Sequence, residues 1–163
     1  MEGETLVIIE PIAADLDLDE VEVALLNAAV GDYAAEAGVL LLANDGYWLT
    51  RLRAAGMITV EAEPIGGELW ARIEWAELDD ALADGRLPGS PEGLAVLRVA
   101  VSLADGRPVD LAEVAVALDR RTLGLVLAAL AHAAGSHDHC APAGQGADAD
   151  LRLGPLIAWP ARP

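Results

Sequence analysis

Residues 90–135 read SPEGLAVLRVAVSLADGRPVDLAEVAVALDRRTLGLVLAALAHAAG, and the capping residues alone divide this stretch into three helices. Ser90 is a side-chain acceptor for free helical N–H groups, and Pro91 suits the first helical position. Leu94, Leu97, Val101 and Ala104 then recur at helical spacing until Asp105-Gly106 stops the run. Asp110 caps a short helix to Leu118, and Asp119 caps a longer one from Arg120 to Ala134, closed by Gly135. These residues predict a trihelical unit over 90–135.

Just upstream, Leu87-Pro88-Gly89-Ser90-Pro91 breaks any regular element and coincides with a change in charge, which marks a boundary. Residues 76–83 read as a short acidic helix closed by Asp84-Gly85. Before it, Met57 to Glu63 and Glu68 to Trp75 alternate apolar and polar side chains around Pro64-Ile65-Gly66-Gly67, the pattern of a β-hairpin over 57–75. Residues 33–55 fit either a hairpin or two helices, and the two-helix reading, broken at Asn44 to Gly46 and ended at Gly56, is preferred. Asp19 with Glu22 opens the first helix, which stops near Gly31, and Thr5 to Ile9 form a strand ended by Pro11.

The expected fold class is therefore α+β: mostly helical, with one β-hairpin. Residues 1–86 form an acidic, winged-helix-like half, 90–135 the three-helix unit, and 136–163 an irregular tail. In that tail Leu153, Leu156, Ile157 and Trp159 offer an apolar strip for a groove on this protein or a partner.

Composition removes whole classes of function. The formal charge of −17 disfavours nucleic acid and anionic membrane as partners. It is unevenly spread: residues 1–89 carry 19 acids against 4 arginines, residues 90–163 only 8 against 6. All ten basic residues are Arg, so no lysine serves as Schiff base, phosphate ligand or general base. The lone Cys140 forms no internal disulfide, the first residues lack the basic and apolar regions of a signal peptide, and no apolar run approaches the ~20 residues of a membrane span. A cytoplasmic location is the expectation.

Few residues offer chemistry. Ser90, Ser102 and Ser136 lie in no nucleophile elbow. Asp15, Asp17 and Asp19 alternate as in a calcium loop, but Glu20 and Leu26 stand where that loop needs Gly and Glu. No catalytic residue or cofactor is assigned, and the reading leans away from an enzyme. His132, His137, His139 and Cys140 fall within nine positions and are of the types zinc selects, although their spacing matches no familiar finger.

Two features point to recognition. Tyr47, Trp48, Trp70 and Trp75 are aromatics of the kind that anchor protein interfaces, and Trp70 and Trp75 have opposite parity on the hairpin, so one of them faces away from the core. The helix pair on either side of Asp119 is similar to a helix-turn-helix, with Arg107, Arg120 and Arg121 near the turn where phosphates are met. After Thr122, however, the second helix carries almost no side chain able to read base edges.

The run from Gly46 to Gly135, with its Trp-bearing hairpin, Asp-Gly, Ser-capped helix and closing Ala131-His132-Ala133-Ala134-Gly135, resembles small actinobacterial proteins with a helix-turn-helix-like C-terminal half. That resemblance implies no function. The leading expectation is a non-enzymatic acidic adaptor or regulatory protein that binds a protein partner or a second copy of itself. The alternatives are a helix-turn-helix DNA-binding regulator and a metal-binding protein using the His/Cys cluster.

Overall fold

The caps read from the sequence at Ser90, Asp110 and Asp119 are formed in the three-dimensional structure, a computed structural model that describes residues 11–62, 66–139 and 153–162. The expected strand Thr5 to Ile9, the turn residues Pro64 and Ile65, and Cys140 lie outside the described residues. Helix α1 (Leu18–Ala29) is followed by α2 (Tyr33–Asp45) and α3 (Trp48–Ala54), then by strands β1 (Ile58–Ala62) and β2 (Leu69–Ile73). After a 3₁₀ turn at Trp75–Glu77 come α4 (Leu78–Ala83), α5 (Pro91–Asp105), α6 (Leu111–Ala117) and α7 (Arg120–Ala133). The protein is mostly helical α+β, and among the described residues it has one two-stranded antiparallel hairpin.

The side chains of Ser90, Asp110 and Asp119 accept from the backbone N–H groups of α5, α6 and α7, as expected. Residues 33–55 are two helices, with Gly46 at φ 82° ending the first. At α1 the structure corrects the expected start. The capping box is Asp17 with Glu20, each side chain accepting from the other's backbone N–H at 2.8 Å, rather than Asp19 with Glu22. Starting earlier leaves Asp19 in the first turn, where its charge favours the helix N-terminus, and frees Glu22 for a distant contact. The helix after the hairpin is likewise shorter than expected, because residues 75–77 are wound as a 3₁₀ turn.

The hairpin pairs Ile58 with Ile73, Val60 with Ala71 and Ala62 with Leu69. Ala71 and Ile73 are buried, whereas Trp70 and Arg72 point to the other face, as the period of two demands. Helix α1 packs against β2, and the Asn27 amide donates to the Leu69 carbonyl at 3.0 Å.

Helix α2 is the hub. Its Ala37, Leu41 and Leu42 are fully buried, and it packs against α1, α3, α5 and α7. The close crossing with α5 needs Gly38: a methyl group there would stand 3.0 Å from the Ala100 carbonyl oxygen and 3.1 Å from the Ala104 Cβ. Residues from both sides of the 87–91 boundary thus share one buried cluster. Residues 153–162 have no regular structure yet return to it. Trp159 packs on the cluster, while Leu153 and Leu156 remain exposed.

Candidate interaction surfaces

The four candidate anchor aromatics have different environments. Trp48 is fully buried, and its indole N–H donates to the Gly93 carbonyl at 2.9 Å, tying α3 to α5. Tyr47 meets the Trp48 ring edge-on at 5.0 Å, donates its hydroxyl to the Pro88 carbonyl and lies under the Arg51 guanidinium. Trp75 is half-buried against the core. Trp70 is 44% exposed on the outer face of the hairpin, opposite Glu61. Of the pair with opposite parity it is therefore Trp70 that looks outward, because the chain turns into the 3₁₀ segment at Trp75.

The three arginines near the helix-turn-helix diverge too. Arg107 binds Asp105 at 2.9 Å and Asp79 at 3.1 Å and donates to the Trp75 carbonyl, fastening the loop after α5 to the segment before α4. Arg121 donates to the Asn44 carbonyl at 3.0 Å. Arg120 is exposed at the first position of α7. Beyond it, the outer face of α7 presents Leu123, Leu127 and Leu130, exposed by 42%, 42% and 44%. Their spacing of four and three residues makes one continuous apolar row.

His132 and His137 stack with ring centroids 4.3 Å apart and planes tilted by 16°. The His132 Nε2 lies 3.1 Å from Glu36, whose other oxygen accepts from the Gly31 N–H. Tyr33 meets the edge of the His137 ring and donates its hydroxyl to Asp138 at 2.7 Å. His139 is exposed, and its backbone carbonyl accepts from Leu153 N–H. Among the described residues no three His, Cys, Asp or Glu side chains are placed to hold a metal ion, and the buried His137 Nδ1 has no hydrogen-bond partner. Glu36, Tyr33 and Asp138 were not candidates from the sequence: Glu36 and Tyr33 lie about a hundred residues from the histidines they meet, and Asp138, although it neighbours His137, is engaged by Tyr33 from 105 residues away.

A cavity of about 260 Å³ lies where the N-termini of α5 and α7 meet the end of α2. Burial pushes the Asp45 carboxyl up from its ordinary value there. Glu92 accepts from the Thr122 hydroxyl at 2.7 Å and from Asp119 N–H at 3.2 Å. Ser90 accepts from Gly93 N–H. These polar groups are used in capping and in joining the two helices.

A larger groove, about 500 Å³, runs between α1 and the start of β2. Val23, Ala24 and Leu69 form its apolar floor, and Asp17, Asp19, Glu20 and Glu68 its rim. A smaller hollow farther along the same seam is bounded by Ala28 and Trp70. Among the described residues no helix is long and apolar enough to cross a membrane. No protein-family model, curated protein or solved structure matches the chain.

Proposed function

We propose that this chain is a non-enzymatic acidic adaptor or regulatory protein that works by binding a protein partner or a second copy of itself. The observation that carries this reading is the row of Leu123, Leu127 and Leu130, left more than 40% exposed along a helix that is otherwise well covered. A continuous apolar row releases ordered water when another surface covers it, and exposed patches of this kind on a single chain are commonly contact sites. The local charge is favourable, since residues 90–163 carry 8 acids against 6 arginines, so a partner meets little net repulsion there.

The DNA-binding alternative has weaker support. Arg107 and Arg121 are occupied by protein oxygens, and the outward side chains of α7 after Thr122 are leucines, which carry no hydrogen-bonding group for base edges. The metal-binding alternative, on His132, His137, His139 and Cys140, is less favoured because the His132 and His137 rings stack face to face, and Cys140 lies outside the described residues.

The test is the mass of the purified protein by light scattering, at low and high salt, with and without partners recovered from cells, compared with Leu127→Glu. The expected result is a dimer or a defined protein complex that survives high salt and is lost in the variant, because salt screens charge but leaves apolar burial intact. A monomer that retains only nucleic acid, and only at low salt, overturns the reading.

A further inference from the structure

We propose that the groove between α1 and β2 receives a cationic amphipathic segment of a partner protein. This goes beyond the α7 contact: it concerns a different face and rests on the protein-binding reading only in that the occupant is a polypeptide. The groove has the size of a genuine binding cleft, about 500 Å³ against roughly 300–1,000 Å³ for ligand sites generally. Its floor is apolar, with Val23 56% exposed. Val30, the residue of non-helical backbone that ends α1, is also exposed, by 78%.

The rim decides the chemistry of the occupant. Asp19 and Glu68 are exposed and form no close ion pair among the described residues, although Arg162 lies near enough to Asp19 to feel its charge, and Asp17 and Glu20, which cap α1 through one oxygen each, keep a second carboxylate oxygen. An apolar segment laid on Val23 and Leu69 without cations would strip water from these carboxylates and leave them unmatched, which is costly. Lysine or arginine side chains flanking the apolar ones replace that water with charge-assisted hydrogen bonds. An amphipathic helix with apolar anchors three, four and seven residues apart meets both demands.

A second copy of this chain does not. It brings a net charge of −17, and its arginines are largely spent internally, as with Arg72 on Glu61 and Glu74, Arg98 on Glu113, Arg107 on Asp79 and Arg162 on Glu22. Nucleic acid is repelled by the same rim.

The probe is a fluorescein-labelled 14-residue synthetic helix with leucine on one face and lysine on the other, together with a companion in which every lysine is glutamine. Binding is followed by anisotropy and mapped by backbone amide shifts on the full chain. We expect the lysine peptide to bind with shifts confined to α1 and β2, and the glutamine peptide to bind at least tenfold more weakly. Asp19→Asn/Glu68→Gln, which spares the capping box, weakens the lysine peptide roughly three- to tenfold. Glu77→Gln/Asp80→Asn, the same charge change at the turn before α4 and on α4, outside the groove lining, leaves it within twofold. Equal binding of both peptides at α1 and β2 overturns the cationic occupant while leaving protein binding in place. Shifts spread over all acidic surfaces, equal losses in the two double variants, or no binding at all overturn the groove as a site, and none of these alters the mass measurement at α7.

Discussion

The guanidinium of Arg162 grips the carboxylate of Glu22 through two hydrogen bonds of 2.6 and 2.9 Å, and its Nε donates to the Asn44 side chain at 3.2 Å. This fork joins the chain's end to α1 and α2. Glu22 raises the Arg162 pKa further above its ordinary value, and the Glu22 side chain is only 13% exposed. Arg162→Ala leaves that carboxylate without its partner. The expected cost is about 1 kcal/mol, the upper end for a half-exposed pair, which lowers Tm by roughly 2–4 °C for a chain of this size. Thermal melts at low and high salt check it, with the difference shrinking as salt screens the pair.

The α2–α5 crossing depends on one missing side chain. Gly38→Val drives two methyl groups into the Ala100 carbonyl and Ala104, where even a Cβ would be at 3.0–3.1 Å. Overpacking of this sort costs about 1–3 kcal/mol. Urea unfolding reads it as a lower midpoint with an unchanged slope. By contrast Leu127→Ser, on the exposed row of α7, stays within about 0.5 kcal/mol.

Trp48 and Trp70 separate stability from exposure. Trp48→Phe removes the hydrogen bond to Gly93 and leaves a gap in the core, a loss of about 1–3 kcal/mol. Trp70→Phe leaves the midpoint unchanged but removes much of the fluorescence that acrylamide can quench, since Trp70 is 44% exposed and Trp48 fully buried. Equal quenching in the two variants would contradict this arrangement.

Acid stability has opposing contributions. The Thr59 hydroxyl and then Arg72 hold Glu74 below its ordinary pKa, and the Thr122 N–H and hydroxyl do the same for Asp119. For these two the unfolded chain binds more protons, so their stabilisation is present above the ordinary carboxylate value and lost as pH falls through the lowered one. Asp45 is the reverse: burial raises its pKa, so the folded state holds its proton longer and stability declines as pH rises through the interval above the ordinary value. Asp45→Asn therefore raises Tm at pH 7 and brings no gain below the ordinary carboxylate range, whereas Thr59→Val reduces the loss of stability on acidification. Melts between pH 3 and 7 distinguish the two.

Local signals carried most of the fold. Ser90, Asp110 and Asp119 were legible because a capping oxygen acts on N–H groups two or three residues away, and Gly46 and Gly106 because their positive φ is a property of one residue. The choice between Asp17 and Asp19 failed for the same reason in reverse. Acids at 17, 19, 20 and 22 offer two boxes of similar quality, Asp17 with Glu20 and Asp19 with Glu22, and the one formed leaves Glu22 facing a residue 140 positions away. The candidate surfaces were harder still. Trp48 and Trp70 look alike in sequence, and only the hydrogen bond to Gly93 and the pairing with Glu61 set one inside and the other out. The groove on α1 required knowing that β2 lies beside it.

The placement of α2 has a consequence for synthesis on the ribosome. Its apolar sides are covered by α1 and α3, which are made early, but also by α5 and α7, the last of which begins at Arg120. About 75 residues must be translated between the end of α2 at Asp45 and the start of α7, which at roughly 5–20 residues per second takes about 4–15 s. During that interval Leu41 and Leu42 have only part of their eventual cover, so the nascent chain is a natural client for a chaperone until its second half emerges.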